Sequence, residues 1–396
     1  MRLAITLKSA AAMAALTVAS QAFAQAKDPL KIGVLMPLTG PLAPIAPEQL
    51  KGMNLAIKEF GGEVAGRKIE MIVEDDGSAP AMGLTKARKL VTSNNVDIMA
   101  GIVASPVALQ VAPYFTSIKM PLVISNAGAD IITGKSCSPY VFRASFSSAQ
   151  ISAPVGQYLA KSGVKSIFLL ASDFVAPREF VAAVRRDYEK AGGKVVGEAY
   201  APFGKTQDYG PYISQARSAG AEAVVPVFYA AEAILFMKQW ASYGIKNLPI
   251  YSPMGLVPPM LRKAQGDAAV DVISSVNYLV ELDTPENKKF VEGFRRDNNN
   301  EEPEEFAVMG YDAMRFVLEA VKARGGDTAN REELAKAISK VAYNGPRGPM
   351  SMNPQNNSAT QNVYMVKTVK KGNGVGYQLL DTIPNYTDQV DGCEFK

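Results

Sequence analysis

The residues best suited to hold a charged small molecule lie between Asp97 and Asp130, in DIMAGIVASPVALQVAPYFTSIKMPLVISNAGAD. A short apolar run ends at Gly101, and Ala104-Ser105-Pro106 then reads as a helix start. Ser105 is expected at the cap and Pro106 at the first helical position, where a missing N–H costs nothing. Val107 to Phe115 continue at helical spacing. A second apolar run, Pro121 to Ile124, ends in the small-residue loop Ser125-Asn126-Ala127-Gly128-Ala129. A helix start offers unpaired N–H groups and partial positive charge to an anion. Loops at the carboxyl ends of neighbouring parallel strands are where open α/β sheets take ligands. The stretch therefore reads either as half of a carboxylate-binding cleft or as a plain strand–helix–strand unit with a good cap.

Other chemistries are excluded by residue type. There is no histidine in the chain. That removes Ser-His-Asp and Cys-His catalysis, HExxH zinc sites and histidine general bases. No Walker A motif, no GxGxxG after Lys31–Pro37 and no nucleophile elbow is present, so neither a cofactor nor enzymatic activity is expected. Asp75-Asp76 could suggest a metal, but no third ligand lies at useful spacing, and a strand-end turn accounts for the pair; no metal is expected. Cys137 and Cys393 are the two cysteines. In an oxidising compartment they read as one disulfide pinning the C-terminal tail to the loop after the second cleft strand, the alternative being two free thiols.

That compartment is indicated by residues 1–26. Arg2 and Lys8 precede the apolar run Ala10–Val18, and Ala22-Phe23-Ala24 is a small-x-small cleavage site. This is the pattern of a secretory signal peptide cleaved near Ala24, and it predicts a periplasmic protein. No later apolar run reaches the roughly 18–20 residues of a membrane span. The formal charge of +4 argues against nucleic acid as a partner.

Stepping along the 396 residues, strands and helices alternate. Lys31–Pro37 is a strand, followed by a helix to Phe60, a strand at Lys68–Glu74, a helix at Ala79–Ser93 and the Asp97 strand. The pattern then restarts: helix Ser147–Ser162, strand Ser166–Ala171, helix Pro177–Ala191, strand Lys194–Tyr200, helix Tyr209–Ala219, strand Ala223–Val227, helix Ala230–Tyr243, strand Leu248–Ser252. Such alternation predicts mainly parallel sheets with helices on both faces. GGxVxG recurs at Gly61–Gly66 and Gly192–Gly197, each between a helix and a strand, which favours two similar α/β lobes. Helices Pro285–Asn298, Phe306–Arg324 and Arg331–Val341 follow, then a closing hairpin, Asn362–Lys370 with Tyr377–Leu380.

Several pieces in order resemble the periplasmic substrate-binding proteins of ABC transporters, of the branched-chain amino acid (Leu/Ile/Val) type. They are KIGVLMPLTGPLA (Lys31–Ala43), GMNLAIKEFGGEVAGRKIEMIVEDD (Gly52–Asp76), KARKLV (Lys86–Val91), GIVASPVA (Gly101–Ala108), FRASFSSAQ (Phe142–Gln150) and MGYDAM (Met309–Met314). The resemblance implies a type I periplasmic binding protein: two Rossmann-like lobes joined by a three-strand hinge, trapping a ligand as they close. Lobe 1 is expected over 27–145 plus 278–361, and lobe 2 over 146–277 plus 362–396. The crossings are expected near Ala144–Phe146, Val276–Tyr278 and Gln361–Val363. The implied partners are a small-molecule ligand and the permease subunits of an importer in the inner membrane, with the binding protein a monomer.

The resemblance also implies site residues. Ser105 matches a serine that binds the ligand carboxylate. Ala127 and Ala129 match the loop meeting the carboxylate and the α-ammonium, and Tyr229 matches a lobe-2 tyrosine covering the ligand. Three departures follow. Met254 stands where amino-acid binders place a glutamate, Ala129 replaces a hydroxyl, and a second cleft tyrosine appears as Ala176 beside Phe174 and Pro177. The pocket keeps an anion site and loses its cation site, and a buried unpaired ammonium costs several kcal/mol. Thioether and aromatic walls at Met254, Phe174 and Tyr229 suit a flat apolar body. The expected ligand is an aromatic or apolar carboxylate. The alternatives are a branched-chain amino acid or amide, with Asp173 or Glu232 restoring the ammonium site, or a periplasmic ligand-sensing role.

Overall fold

The computed structural model describes residues 27–388 and 392–395. The export segment read in residues 1–26 lies outside the described residues.

The first lobe forms around central strands that are buried on both faces, as a parallel sheet covered by helices requires. β1 (Leu30–Met36), α1 (Ile45–Glu59), β2 (Glu63–Val64), β3 (Arg67–Asp75), α2 (Pro80–Thr92), β4 (Ile98–Gly101), α3 (Ser105–Ser117), β5 (Leu122–Ile124) and β6 (Val141–Arg143) follow in turn. The sheet order is β2-β3-β1-β4-β5-β6, parallel except for the β2–β3 hairpin. Alternate residues serve opposite faces. Ile32, Val34, Ile98, Ala100 and Val123 pack in one core, while Leu35, Met99, Leu122 and Ile124 pack in the other, with Val107, Val111 and Phe115 of α3.

The second lobe repeats the scheme. It holds α4 (Ser148–Lys161), β7 (Ser166–Asp173), α5 (Val175–Lys190), β8 (Lys194–Pro202), α6 (Gly210–Ser218), β9 (Ala223–Val227), α7 (Ala230–Ser242), β10 (Tyr251–Pro253), α8 (Pro259–Gln265) and β11 (Ile273–Val276). β7 is flanked by β8 and β9, both parallel to it, and Val224 bridges Ile250 just before β10. Ile167, Leu169 and Ala171 face α4 and α5, whereas Phe168 and Leu170 face α6 and α7. Trp240 packs against Phe236 in that second core.

The chain then returns to the first lobe through α9 (Pro285–Asp297), α10 (Glu305–Ala323) and α11 (Arg331–Ile338). It ends in β12 (Ala342–Gly345), β13 (Gly348–Met352), β14 (Ala359–Lys371) and β15 (Gly374–Tyr386). β14 pairs with β13 at its start, with β11 further on and with β15 along much of its length, so one strand belongs to both halves. The closing hairpin is longer than its sequence suggested, β10 begins later, and α8, β11, β12 and β13 were not anticipated. These short elements lack a full period of pattern, and strand partners far along the chain decide them.

Two fully buried arginines fasten the crossings. Arg347 donates through Nε to Asp312 at 2.5 Å, through Nη2 to the Ala144 carbonyl at 2.6 Å, and through Nη1 to the Gln361 side chain and the Ser145 carbonyl. Gln361 in turn donates to Gln150 Oε1 at 2.7 Å, and Gln150 to the Ala359 carbonyl at 2.7 Å. Arg143 donates to the Ala129 carbonyl at 2.8 Å and pairs with Asp388 at 3.1 Å, which also accepts from Ser147 Oγ at 2.6 Å. The Arg143 and Asp388 contact is a structural ion pair. Between β11 and α4, Ser275 Oγ donates to the Ile151 carbonyl at 2.5 Å.

Cys137 and Cys393 form a disulfide with Cα atoms 5.5 Å apart, closing a loop of 256 residues. It ties the tail to the loop that follows β5, close in sequence to Thr133, which accepts from Arg143.

Replacing Arg347 with Met leaves Asp312 buried without its partner. The expected loss is about 3–5 kcal/mol in urea unfolding, with part recovered in the double variant R347M/D312L. Cys393→Ser is expected to cost roughly 2–4 kcal/mol, read as a drop in Tm that reducing the native protein reproduces.

Candidate functional site

Every residue proposed for the site follows the carboxyl end of a parallel strand. Ser105 lies after β4, Ala127 and Ala129 after β5, Phe174 after β7, Tyr229 after β9 and Met254 after β10. This is where strand order reverses in such sheets and adjacent loops part to leave a crevice. In the first lobe β1 lies between β3 and β4, and in the second β7 lies between β8 and β9.

Ser105 is the first residue of α3, and Ala104 is its cap; the helix starts one position earlier than expected. The Ser105 hydroxyl does not close the helix end. It accepts from the Ala129 N–H at 3.1 Å, so Ser105 and Ala129 meet directly. The Ala127 N–H donates to the Ile102 carbonyl at 3.2 Å. Ile102 has φ +71°, a region that β-branched residues avoid, yet its N–H is held by the Leu35 carbonyl at 2.8 Å. Such backbone is typically strained by about 1–3 kcal/mol and persists only where the surroundings enforce it.

The second lobe contributes an aromatic wall. Tyr229 caps α7 and is followed by Ala230 at φ +50°. Its ring lies 5.9 Å from that of Phe180 and 6.4 Å from that of Phe174, both near edge-on. It rests on Gly255, where an added Cβ would fall 2.3 Å from Tyr229 Cε1. Gly255 has φ +116°, so it provides both room and a conformation other residues resist. Phe174 stacks 4.4 Å from Phe203, an exposed ring. Met254 is buried in the same core as Phe146, Phe180 and Val227. Phe146 reaches the first lobe, since a Cβ on Gly128 would come within 2.9 Å of its ring.

Two carboxyls missed from the sequence join these sets. Asp130 follows Ala129 directly and accepts from the Ala149 N–H at 2.8 Å. Glu179, on α5, sits beside the Asp130 N–H and the Ser148 hydroxyl, and so links the lobes next to Ser105 and Ala129. Burial raises the Glu179 pKa; the Ser148 hydroxyl, the Asp130 N–H and Arg143 oppose the rise without cancelling it. Burial, with Glu179 and Asp388 adding to it, pushes Asp130 up to about 6 against the Ala149 N–H and Arg143. Burial, then the Glu179 charge, keeps the Tyr229 hydroxyl protonated. Nothing in the local pattern of VAPREFVAAV marks Glu179 as inward-facing, because Arg178 and Glu179 read as an ordinary solvated pair. The two acids named as substitutes are otherwise engaged. Asp173 pairs with Arg178 at 2.6 Å, and Glu232 accepts from the Gly204 N–H at 2.8 Å and from Ser172.

Asp75 and Asp76 organise a turn. Asp75 accepts from the N–H groups of Leu38, Thr39 and Gly77, and Asp76 from that of Ser78. Among the described residues no group of three acidic or thiol side chains gathers as metal ligands. A surface depression of about 380 Å³ at Glu59, Phe60, Arg315 and Lys322 lies at the far end of α1, away from the strand ends that form the cleft.

Comparison with known proteins defines the family and the fold. The family model described as periplasmic binding protein matches residues 29–373, and the chain belongs to that family. The Leu/Ile/Val-binding protein homolog 6 of Brucella melitensis is 32% identical over 374 residues, covering 92% of this chain and 94% of the relative. A solute-binding protein of an ABC transporter from R. palustris, solved with benzoate, has TM-score 0.83 and 30% identity over 93% of this chain and 100% of that one. Another, from Rhodopseudomonas palustris BisB5 with 3,4-dihydroxybenzoic acid, has TM-score 0.84 and 31% identity over 91% and 99% of the two chains. The fold is that of a type I periplasmic binding protein, two Rossmann-like lobes on a three-strand hinge.

The buried acids set a pH dependence. Besides Asp130, burial raises Glu305 to about 8, with Glu304 adding and Arg262 opposing. Burial likewise raises Glu304 to about 7. A carboxyl whose folded pKa exceeds its unfolded value binds more protons folded than unfolded between the two, so stability falls as pH rises through that window. The unfolding free energy is therefore expected to decline from pH 5 to pH 8 in urea titrations. Asp130→Asn is expected to flatten the part of that decline below about pH 6.

Proposed function

We propose that the protein is the extracytoplasmic solute-binding subunit of an ABC importer and that its ligand is a small aromatic carboxylate. It acts by binding rather than by catalysis, working as a monomer that delivers its ligand to permease subunits in the inner membrane. A periplasmic location, after cleavage near Ala24, accords with the family. Among the described residues no helix is long and apolar enough to cross a membrane.

One juxtaposition carries the reading. The amino end of α3, with Ser105 and Ala129 in contact, is joined through Asp130 and Glu179 to a wall of Phe174, Tyr229 and Met254. A helix start with small neighbours accepts a carboxylate closely. Opposite it, aromatic rings and a thioether offer a flat apolar surface. The benzoate and 3,4-dihydroxybenzoic acid bound in the two similar solved structures support the same ligand class.

A second reading rests on Glu179. Its carboxylate stands close to where an α-ammonium would lie beside Ala129, and the curated relative bears a Leu/Ile/Val-binding name. In that reading Glu179 does the work that Met254 cannot, and the ligand is a branched-chain amino acid or amide. Differential scanning fluorimetry separates the two. An aromatic acid at 100 times its Kd is expected to stabilise the native protein by about 2.7 kcal/mol, with leucine and valine leaving Tm unchanged. Ser105→Ala is expected to weaken the aromatic acid about tenfold, the loss of one hydrogen bond to a charged group. A shift with leucine and none with any aromatic acid would install the second reading.

A further inference from the structure

Among the described residues, Asn126 Oδ1 in the loop after β5 is buried without a hydrogen-bond partner, and so, on the facing lobe, are Glu179 Oε2 and Tyr229 Oη. The last two come from different elements, α5 and the cap of α7. They are close enough for the Glu179 charge to act on the Tyr229 hydroxyl, yet they do not hydrogen-bond each other. Both are held in place by packing. The Tyr229 ring is fixed by Phe180, Phe174 and Gly255, and Glu179 lies beside the Asp130 N–H and the Ser148 hydroxyl. Leaving such groups buried and unpaired is destabilising. Rigid, paired costs of this kind collect where a ligand is to be read.

The two atoms are chemically distinct. The Glu179 oxygen can accept, and the Tyr229 hydroxyl, which stays protonated, can donate. One small group satisfies both at once, a hydroxyl that donates to the carboxylate and accepts from the phenol. A methyl or ring C–H satisfies neither. An ammonium could donate to both oxygens, but it would leave the Tyr229 proton without an acceptor.

We infer that Glu179 and Tyr229 form a hydroxyl-reading pair, so that the ligand is a hydroxylated carboxylic acid rather than its unsubstituted parent. This rests on the aromatic-acid reading and adds the two residues that select among such acids. Ser105 and Ala129 would hold the carboxylate common to all of them, while Glu179 and Tyr229 would discriminate by hydroxylation.

Isothermal titration of the native protein with benzoate, the ortho, meta and para hydroxybenzoates, and leucine tests it. At least one hydroxybenzoate is expected to bind about tenfold or more tighter than benzoate, because the parent leaves both buried atoms unpaired. Tyr229→Phe keeps the ring and its packing and should bring that isomer to the benzoate level. Glu179→Leu should do the same, and Glu179→Gln, which retains an acceptor oxygen, should keep part of the preference. In each variant the preference is read as the ratio of hydroxybenzoate to benzoate affinity, so a general weakening of the wall cancels, and the ligand-free Tm of each variant checks its fold. If Glu179→Leu does not fold, Tyr229→Phe alone decides. Benzoate binding as tightly as every hydroxybenzoate overturns the inference and leaves the proposed function standing. So does a preference for hydroxylated acids that survives Tyr229→Phe. Binding of leucine alone, or of none of the panel, overturns both.

Discussion

A guanidinium withdrawn from water must find acceptors on every side, and Arg347 finds them only where distant parts of the chain converge. Its partners are Asp312 on α10, the carbonyls that leave β6, and Gln361 on β14. Desolvating the ion is costly, and one carboxylate does not fully offset it; the carbonyls and the amide complete the cage. Because those acceptors belong to two of the crossing segments, satisfying one charge fixes where the halves of the molecule meet. Arg143 repeats the device nearby, reaching from the end of β6 to the Ala129 carbonyl and to Asp388 in the tail. The loop that carries Ala129 is thus hung from the hinge itself.

This arrangement couples the cleft to the joint. Ala129 gives its carbonyl to Arg143 and its N–H to Ser105, while the next residue, Asp130, approaches Glu179 of the other lobe. Three carboxyls, Asp130, Glu179 and Asp388, share the neighbourhood of one fully buried arginine. Burial outweighs attraction for Asp130 and Glu179, so both resist ionising. A cleft edged by reluctant acids repels a ligand carboxylate less than a fully charged edge would, which suits an anion bound at the start of α3.

The strand–helix alternation was legible because each element carries a full pattern. Helices such as α4 and α10 and strands such as β1, β7 and β9 were placed within a residue or two from apolar spacing and Gly or Pro boundaries. The loops after β4 and β5 were read as candidate ligand loops because small residues follow apolar runs there, and the loop after β9 from the family resemblance alone. Two kinds of feature were not legible. Short strands such as β12 and β13 exist because β14 passes beside them, and local sequence holds no trace of that partner. Glu179 sits on a helix whose charged residues look alike, and only the approach of Asp130 and Ser148 singles it out. Ser105 was recognised for its type and position, but its hydroxyl serves the neighbouring loop rather than its own helix.

Ile102 and Ala230 sit in the loops proposed to face the ligand. Each has a positive φ, one before the Ser105 helix and one after Tyr229. At Ile102 that backbone is tied to the sheet through the Leu35 carbonyl, whereas Phe174 and Met254 belong to separate loops of the other lobe. Such division of labour lets a lineage change its diet by exchanging a few wall residues. A name recording aliphatic amino acids and solved structures holding benzoates can then sit around one unaltered framework.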